Sequence, residues 1–276
     1  MIQSDWGRWL VDEIEQASPT GLKIWYLGCN GFILKASDGT TIAIDPYLGL
    51  GDPPRTVRMI PVPFNPTDIT TLDTILTTHE HTDHTHGPTQ GPMMNQTDAH
   101  LFAPPASMSK TVSQEWINEY DLSETDFIEV DAGQQHSVGS FDICVESAHD
   151  PDAIDPVSYV ISHGDSTFFH AGDSKPSPEF TTIGNRYDID LGAIAFGSIG
   201  YIRDKETCEP QRTKWYATGD ELIELAESLQ LDRVLPTHWD MWKGVTADPH
   251  ALHSNARSYR YPKAIEIVEI GDSVTV

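Results

Sequence analysis

Apolar residues in this chain come mostly in short runs closed by turn residues, the spacing of strands rather than of long helices. Residues 22–28 (LKIWYLG), 32–36 (FILKA) and 41–45 (TIAID) read as consecutive strands, separated by Cys29-Asn30-Gly31 and Ser37-Asp38-Gly39. A Pro-rich loop follows over 52–67, and then a short apolar strand, 73–79 (DTILTTH), ends in a cluster of histidines. Further strands are predicted at HLFAP, near 126–130, 141–148, 157–163 and 166–170, at 188–197 (DIDLGAIAFG), at DRVLPTH ending on His238, and at AIEIVEI and SVTV.

Three stretches carry helical spacing. The N-terminal stretch, about 4–16, is amphipathic, with Trp6, Trp9, Leu10 and Ile14 on one face. PPASMSKTVSQEWINEY holds a second helix. TGDELIELAESLQL is the clearest, with a capping-box pair, Thr218 and Glu221, ahead of an apolar face of Leu222, Leu225, Ala226 and Leu229. Strands in runs with helices between them predict an α/β chain of sheets packed together and covered by helices. A length of 276 residues fits one large domain over 1–276. Polar clusters fall repeatedly just after a strand, at 45, 79–84, 149, 170–173 and 238, where loops present functional groups on a rigid frame.

Charge narrows the partners. Forty-two acidic residues face 17 basic ones, a net −25. An acidic surface disfavours large nucleic acids and anionic membranes. It also repels itself at low ionic strength and is screened by salt, the pattern of a halophilic-type cytoplasmic protein. No apolar run approaches the ~20 residues of a membrane helix, and the N-terminus has neither a basic start nor an apolar signal core, so a cytoplasmic chain is expected. Cys29, Cys144 and Cys208 are odd in number and widely spaced, which predicts buried free thiols rather than disulfides.

The chemistry concentrates in LTTHEHTDHTHG, residues 76–87. His79, His81, Asp83 and His84 form H-x-H-x-D-H. In an extended turn His79 and His81 can share one ion, while Asp83 and His84, adjacent in the chain, point elsewhere and suit a second. Imidazole with carboxylate suits Zn²⁺, Mn²⁺ or Fe²⁺, and two ions ~3.5–4 Å apart can clamp a reacting oxygen. Two ions need more ligands, and His149, Asp173 and His238 each follow a strand.

That set, with WGRWLVDEIEQ, IWYLGCNGFILKASDGTTIAIDPYLG, ILTTHEHTDH, HAGDS and PTHWDMW, resembles the metallo-β-lactamase superfamily, and within it the L-ascorbate-6-phosphate lactonase branch, from about residue 6 to 250. The resemblance implies a four-layer αββα sandwich with a dinuclear site at one edge. It implies that His79, His81 and His149 hold one Zn²⁺ or Mn²⁺, that Asp83, His84 and His238 hold another, and that Asp173 bridges them. Some members of the branch use one metal, so one ion or two stays open. Asp150, next in the chain, is the alternative donor to His149; Ala148 on the other side offers none. Asp45 is implied as a support of the His loop rather than a ligand. Relatives in the branch assemble, so the resemblance implies self-association.

The implied reaction is hydrolysis of a small ester or sugar (phosphate) lactone by a metal-held hydroxide, with Asp83 or Asp173 taking the proton. Cleavage of a small or cyclic phosphodiester is the alternative. A di-iron redox protein fits less well, because His81 stands where such proteins usually carry an acid and 276 residues leave no room for the flavin domain they usually append. A non-catalytic metal binder fits less well because the ligand set is intact. Asp240 is a candidate acceptor for a ligand histidine's second N–H, and Trp239 a candidate substrate contact. Arg203, Lys205, Arg212 and Lys214 form the densest basic stretch and are candidate anchors for an anionic small-molecule substrate. His86 reads as solvated or capping, and His170 as orienting the Asp173 loop or as a satisfied core residue.

The charge excess generates a direct expectation. The melting temperature should rise as KCl is increased from low to molar concentration; a curve that is flat or falls would remove the halophilic reading.

Overall fold

Strands β1 (Lys23–Gly28), β2 (Gly31–Lys35) and β3 (Thr41–Ile44) are buried along almost their whole length. Continuous apolar runs are what a sheet covered on both faces requires. In the computed structural model, which describes residues 2–276, these strands begin a sheet continued by β4 (Thr74–Leu76), β5 (His100–Ala103) and β6 (Phe127–Glu129). A second sheet comprises β7 (Gln135–Val138), β8 (Phe141–Ser147), β9 (Val157–His163), β10 (Ser166–His170), β11 (Leu191–Ala195) and, beyond a separate hairpin of β12 (Gly200–Arg203) and β13 (Pro210–Thr213), β14 (Arg233–Thr237) and β15 (Ala264–Ile265). The last strand, β16 (Ser273–Thr275), returns to the edge of the first sheet, giving the orders β16-β1-β2-β3-β4-β5-β6 and β15-β14-β11-β10-β9-β8-β7.

The sheets meet through one apolar layer, in which Tyr26, Phe32 and Ile44 face Phe141, Tyr159 and Phe168. A second layer covers the outer face of the first sheet with α1 (Trp9–Gln16), α2 (Gly87–Thr97), α3 (Pro105–Ser113) and α4 (Trp116–Glu119). A third covers the other sheet with α5 (Pro178–Arg186), α6 (Gly219–Leu229) and α7 (Leu252–Asn255). The result is the four-layer αββα sandwich that the resemblance implies. No helix among the described residues is long and apolar enough to cross a membrane.

Strand directions gather the functional loops. β1 runs antiparallel to β2, which runs antiparallel to β3, so β1 and β3 end at the same edge. β3 and β4 are parallel, as are β10, β11 and β14. β8 is two antiparallel steps from β10 and ends with it. The residues after β1, β3, β4, β8, β10 and β14 therefore converge on one rim.

Some expectations change. Helix α1 starts at Trp9 rather than near residue 4, because Gly7 takes a left-handed φ of 64° that no helix continues through. Its buried face is Leu10, Val11 and Ile14, and Trp9 is 57% exposed. α2 forms in GPTQGPMMNQT, a run rich in Gly and Pro that propensity alone does not mark as helix. Pro88 starts it at a position where no N–H is needed, and burial of Met93 and Met94 holds it. Of the three cysteines only Cys29 is buried; Cys144 is half-buried and Cys208 exposed.

Two hydrogen bonds stitch the two sheets beneath the His loop: the Val157 N–H of β9 donates to the Thr78 carbonyl at 2.9 Å, and buried Tyr159 in β9 donates its hydroxyl to the Thr77 carbonyl at 2.8 Å. Tyr159→Phe should cost about 1–3 kcal/mol in urea unfolding, since it strands a buried carbonyl. An unchanged midpoint would mean that water replaces the hydroxyl.

Candidate metal centre

The site begins with the Asp45 carboxylate, fully buried just past β3 at a left-handed φ of 43°. Its Oδ1 accepts the Thr78 N–H at 2.8 Å and its Oδ2 accepts the Thr78 hydroxyl at 2.7 Å. Oδ2 also lies 2.7 Å from His84 Nδ1, which places that ring's proton on Nδ1. The Thr78 hydroxyl, having donated to Asp45, can only accept from His79 Nδ1, 2.9 Å away. One carboxylate thus orients two imidazoles and turns the unprotonated Nε2 of each inward. The loop is held from outside by Thr85, which donates to the His79 carbonyl, by Gln90, which donates to that of His84, and by Lys110, which donates to that of Glu80.

The inward atoms form three groups, each with its donor atoms within 4.8 Å of one another: His79, His81, Asp150 and Asp173; His84, Asp173 and His238; and Cys29, Asp83 and His238. His81 donates Nε2–H to the Asp152 carbonyl at 3.1 Å, so its Nδ1 is bare. That Nδ1 faces the bare His79 Nε2 at 3.0 Å, and Asp150 Oδ2 lies 3.7 Å from each. His84 Nε2 is buried without a hydrogen-bond partner, 3.3 Å from Asp173 Oδ2. His238 Nε2 is 3.4 Å from Asp173 Oδ1 and 3.8 Å from Asp83 Oδ2. Between these ring nitrogens and the carboxylates acceptor faces acceptor, which is unfavourable unless cations sit among them. The donor set fits divalent ions with nitrogen and oxygen ligands, and Asp173 belongs to two of the groups.

The protonation states agree. Burial, then the neighbouring His84, keeps His79 well below the usual imidazole range, as a neutral ligand requires. Burial also disfavours charge on His84, but Asp173 and Asp45 outweigh it and hold its pKa well above the ordinary value. Burial acts upward on Asp173, yet His84 and His238 keep its carboxyl well below the usual range.

Turns after other strands brace this centre. After β1, Cys29 at φ 60° accepts the His238 N–H on its carbonyl at 2.9 Å. Asn30 donates to Asp173 Oδ1 at 3.3 Å and accepts from Thr237 at 2.7 Å, and its carbonyl lies 2.9 Å from His170 Nε2. His170 accepts the Gly172 N–H on Nδ1, so this buried ring links β1 to the loop carrying Asp173. His238 is stacked on Tyr216, centroids 4.2 Å apart.

Sequence reasoning places several residues differently. His149 is exposed and joins no group; its backbone is clamped by Ser174 and Lys175, and the next residue, Asp150, turns inward instead. Asp240 receives no ligand N–H: its Oδ1 is buried without a partner, and burial pushes its pKa up to about 6. Trp239 packs against the apolar layer of the second sheet's outer face and does not line the cleft. Arg203 and Arg212 lie exposed on the β12–β13 hairpin and Lys205 in its turn, none of them lining the cleft; Lys205 pairs with Asp52, and Lys214 with Glu221. His86 does line the cleft, with Nδ1 2.7 Å from the Thr89 hydroxyl.

The metal groups floor a cleft of about 710 Å³ walled by Tyr47, Trp215, Tyr216 and Trp242, with Arg55 also lining it. Trp242 Nε1 donates to Asp83 Oδ2 at 3.3 Å. Tyr47 and Trp242 lie in stretches that carry the resemblance, but Trp215 and Tyr216 follow no motif. Cys29 and Asn30 do follow the pattern of polar residues just after a strand, the one signal that could have found them.

A sandwich of this kind with a His- and Asp-lined metal-binding pocket defines a class, the metal-dependent hydrolases of the αββα fold. The pattern of the β-lactamase superfamily domain matches residues 40–239, and the chain belongs to that superfamily. It is 27% identical to the probable L-ascorbate-6-phosphate lactonase UlaG of Escherichia fergusonii, over 90% of this chain and 78% of the relative. In fold it is similar to Igni18, a metallo hydrolase from Ignicoccus hospitalis, with a TM-score of 0.65 and 19% identity over 92% of this chain and 97% of that one. It is also similar to CmlA, a diiron β-hydroxylase from Streptomyces venezuelae, with a TM-score of 0.66 and 18% identity over 95% of this chain and 55% of that one. The fold therefore serves more than one chemistry, and the site must decide.

Elemental analysis separates the donors. Asp150→Ala should lose about one ion per chain relative to wild type, while His149→Ala keeps the wild-type content. The reverse result would restore His149 as the ligand.

Proposed function

We propose that this chain hydrolyses a small ester bond, foremost that of a sugar lactone or its phosphate, with two Zn²⁺ or Mn²⁺ ions held by His79, His81, Asp150, Asp83, His84 and His238 and shared through Asp173. The observation that carries the reading is Asp173, common to two donor groups at the floor of an aromatic-walled cleft. Bound there, divalent ions supply an acidified water and a positive charge toward a carbonyl oxygen. The protein's own residues do the rest.

Asp45 and Thr78 keep His79 and His84 in the ligating tautomer. Asp83 reaches the cleft and, oriented by Trp242, accepts the proton released as water adds to the carbonyl. Tyr47, Trp215, Tyr216 and Trp242 offer flat faces to a sugar ring and exclude bulk water around it. A lactone suits such a site because its ring oxygen leaves with less protonation than an amide nitrogen needs. The net charge of −25 favours small substrates over nucleic acid. The kinship with the lactonase relatives supports the same choice.

The test is metal content of the purified protein alongside turnover of sugar lactones, their phosphates and bis-p-nitrophenyl phosphate. About two ions per chain with lactone turnover, lowered about 100-fold or more in Asp173→Asn, is the expected result. Turnover of the phosphodiester alone would move the function to that reaction. Full activity in Asp173→Asn would end the dinuclear reading.

A further inference from the structure

The charges around the cleft are almost all spoken for. Asp83, Asp150 and Asp173 belong to the metal groups. Asp52 Oδ2 lies 2.5 Å from Lys205 Nζ, and Asp152 Oδ2 lies 3.6 Å from Lys175 Nζ. Glu80 accepts the Ile154 N–H on its two oxygens at 3.0 and 3.2 Å. Arg55 is different. It is the one arginine or lysine that lines the cleft, and among the described residues its guanidinium has no carboxylate within 4.0 Å. The acid it influences from further off, Asp204, is turned onto the N–H groups of Glu206 and Thr207.

The backbone that carries Arg55 is also held in place. The Arg55 N–H and that of Thr56 donate to the Asp52 carbonyl, each at 3.1 Å, and the Asp52 N–H donates to the Thr56 hydroxyl at 2.7 Å. Gly51 enters this turn at a φ of +86°, and a Cβ there would meet the Thr56 carbonyl at 2.5 Å. Nearby Arg58 is consumed inside the same loop, donating to the carbonyls of Tyr47, Gly49, Ile60 and Pro61. One arginine therefore builds the loop and the other is left free on it. The guanidinium of this exposed residue sits 6.0 Å from the centroid of the Trp215 ring, at the outer reach of a cation–π contact.

We propose that Arg55, seated over Trp215, is an oxyanion subsite that binds a phosphate or carboxylate carried by the substrate. A planar fork of donors with no internal acceptor suits either group in a bidentate pair. The subsite extends the hydrolytic reading and rests on it for the placement of the substrate in the cleft. It moves anion recognition away from Arg203, Lys205 and Arg212, which the fold sets outside.

The test compares three lactones on the metal-loaded enzyme: an unsubstituted aldonolactone, the same lactone phosphorylated on its terminal hydroxyl, and an aldaric-acid monolactone bearing a carboxylate. Wild type should favour at least one anionic lactone in kcat/KM, and which one identifies the group bound. Arg55→Met should lower that value about 10- to 100-fold while leaving the neutral lactone unchanged. Arg55→Lys should retain part of the preference, and Arg212→Met all of it. No preference in wild type, or an equal loss on all three lactones in Arg55→Met, would overturn the subsite. Should no lactone turn over, the lactone reading fails by itself, and calorimetric titration of the holoprotein with inorganic phosphate decides the subsite. Affinity at least about tenfold weaker in Arg55→Met supports it; equal affinity, or no binding to wild type, overturns it.

Discussion

Everything at this centre hangs on a buried carboxylate. Asp45 has no contact with water, and a bare charge there would be costly. It is stabilised by three donors drawn from the His loop: the Thr78 amide, the Thr78 hydroxyl and His84 Nδ1. The dependence is mutual. The loop gives the carboxylate its partners, and the carboxylate sets the tautomer of His84 directly and that of His79 through Thr78. Without it both rings could rotate or shift their protons, and the inward lone pairs that define the site would be lost.

The backbone carries strain at the same place. Cys29, Asp45 and His238, none of them glycine, all take left-handed φ values, 60°, 43° and 65°. Each costs about 1–2 kcal/mol relative to an ordinary conformation. They are tolerated because neighbours overdetermine them: the Cys29 carbonyl receives N–H from His238 and the hydroxyl of Tyr26, and Asp45 N–H is tied to the Leu76 carbonyl. Such residues collect where a chain must turn sharply off a strand to aim a side chain inward. Here the three come from the first sheet and the last strands of the second, so the strained turns face one another across the sandwich.

Much of the architecture was legible beforehand. Continuous apolar runs marked the central strands, and the capping box placed α6, where Thr218 accepts from Glu221 and Glu221 from Thr218. Helix α2 was not legible, because Gly and Pro dominate it and only its burial against the first sheet holds it. The β12–β13 hairpin was missed as well, since its largely exposed strands show no apolar pattern. The dense basic stretch on that hairpin suggested an anion site, yet none of its side chains lines the cleft, because proximity in sequence says nothing of distance from it.

The sequence alone determined the kind of chemistry. H-x-H-x-D-H after an apolar strand, followed by Asp173 and His238 after later strands, could be read as metal ligands because residue type and strand ends are local properties. Tertiary structure decided what local rules cannot reach. Whether His149 or Asp150 turns inward depends on how the chain is clamped by Ser174 and Lys175 as it leaves β8. Which arginine stays free depends on Arg58 filling its own loop with four carbonyls. The support from Cys29 and Asn30 reaches His238 and Asp173 across more than a hundred residues of chain. Direction and pairing across the fold are set by packing, and no spacing within one segment encodes them.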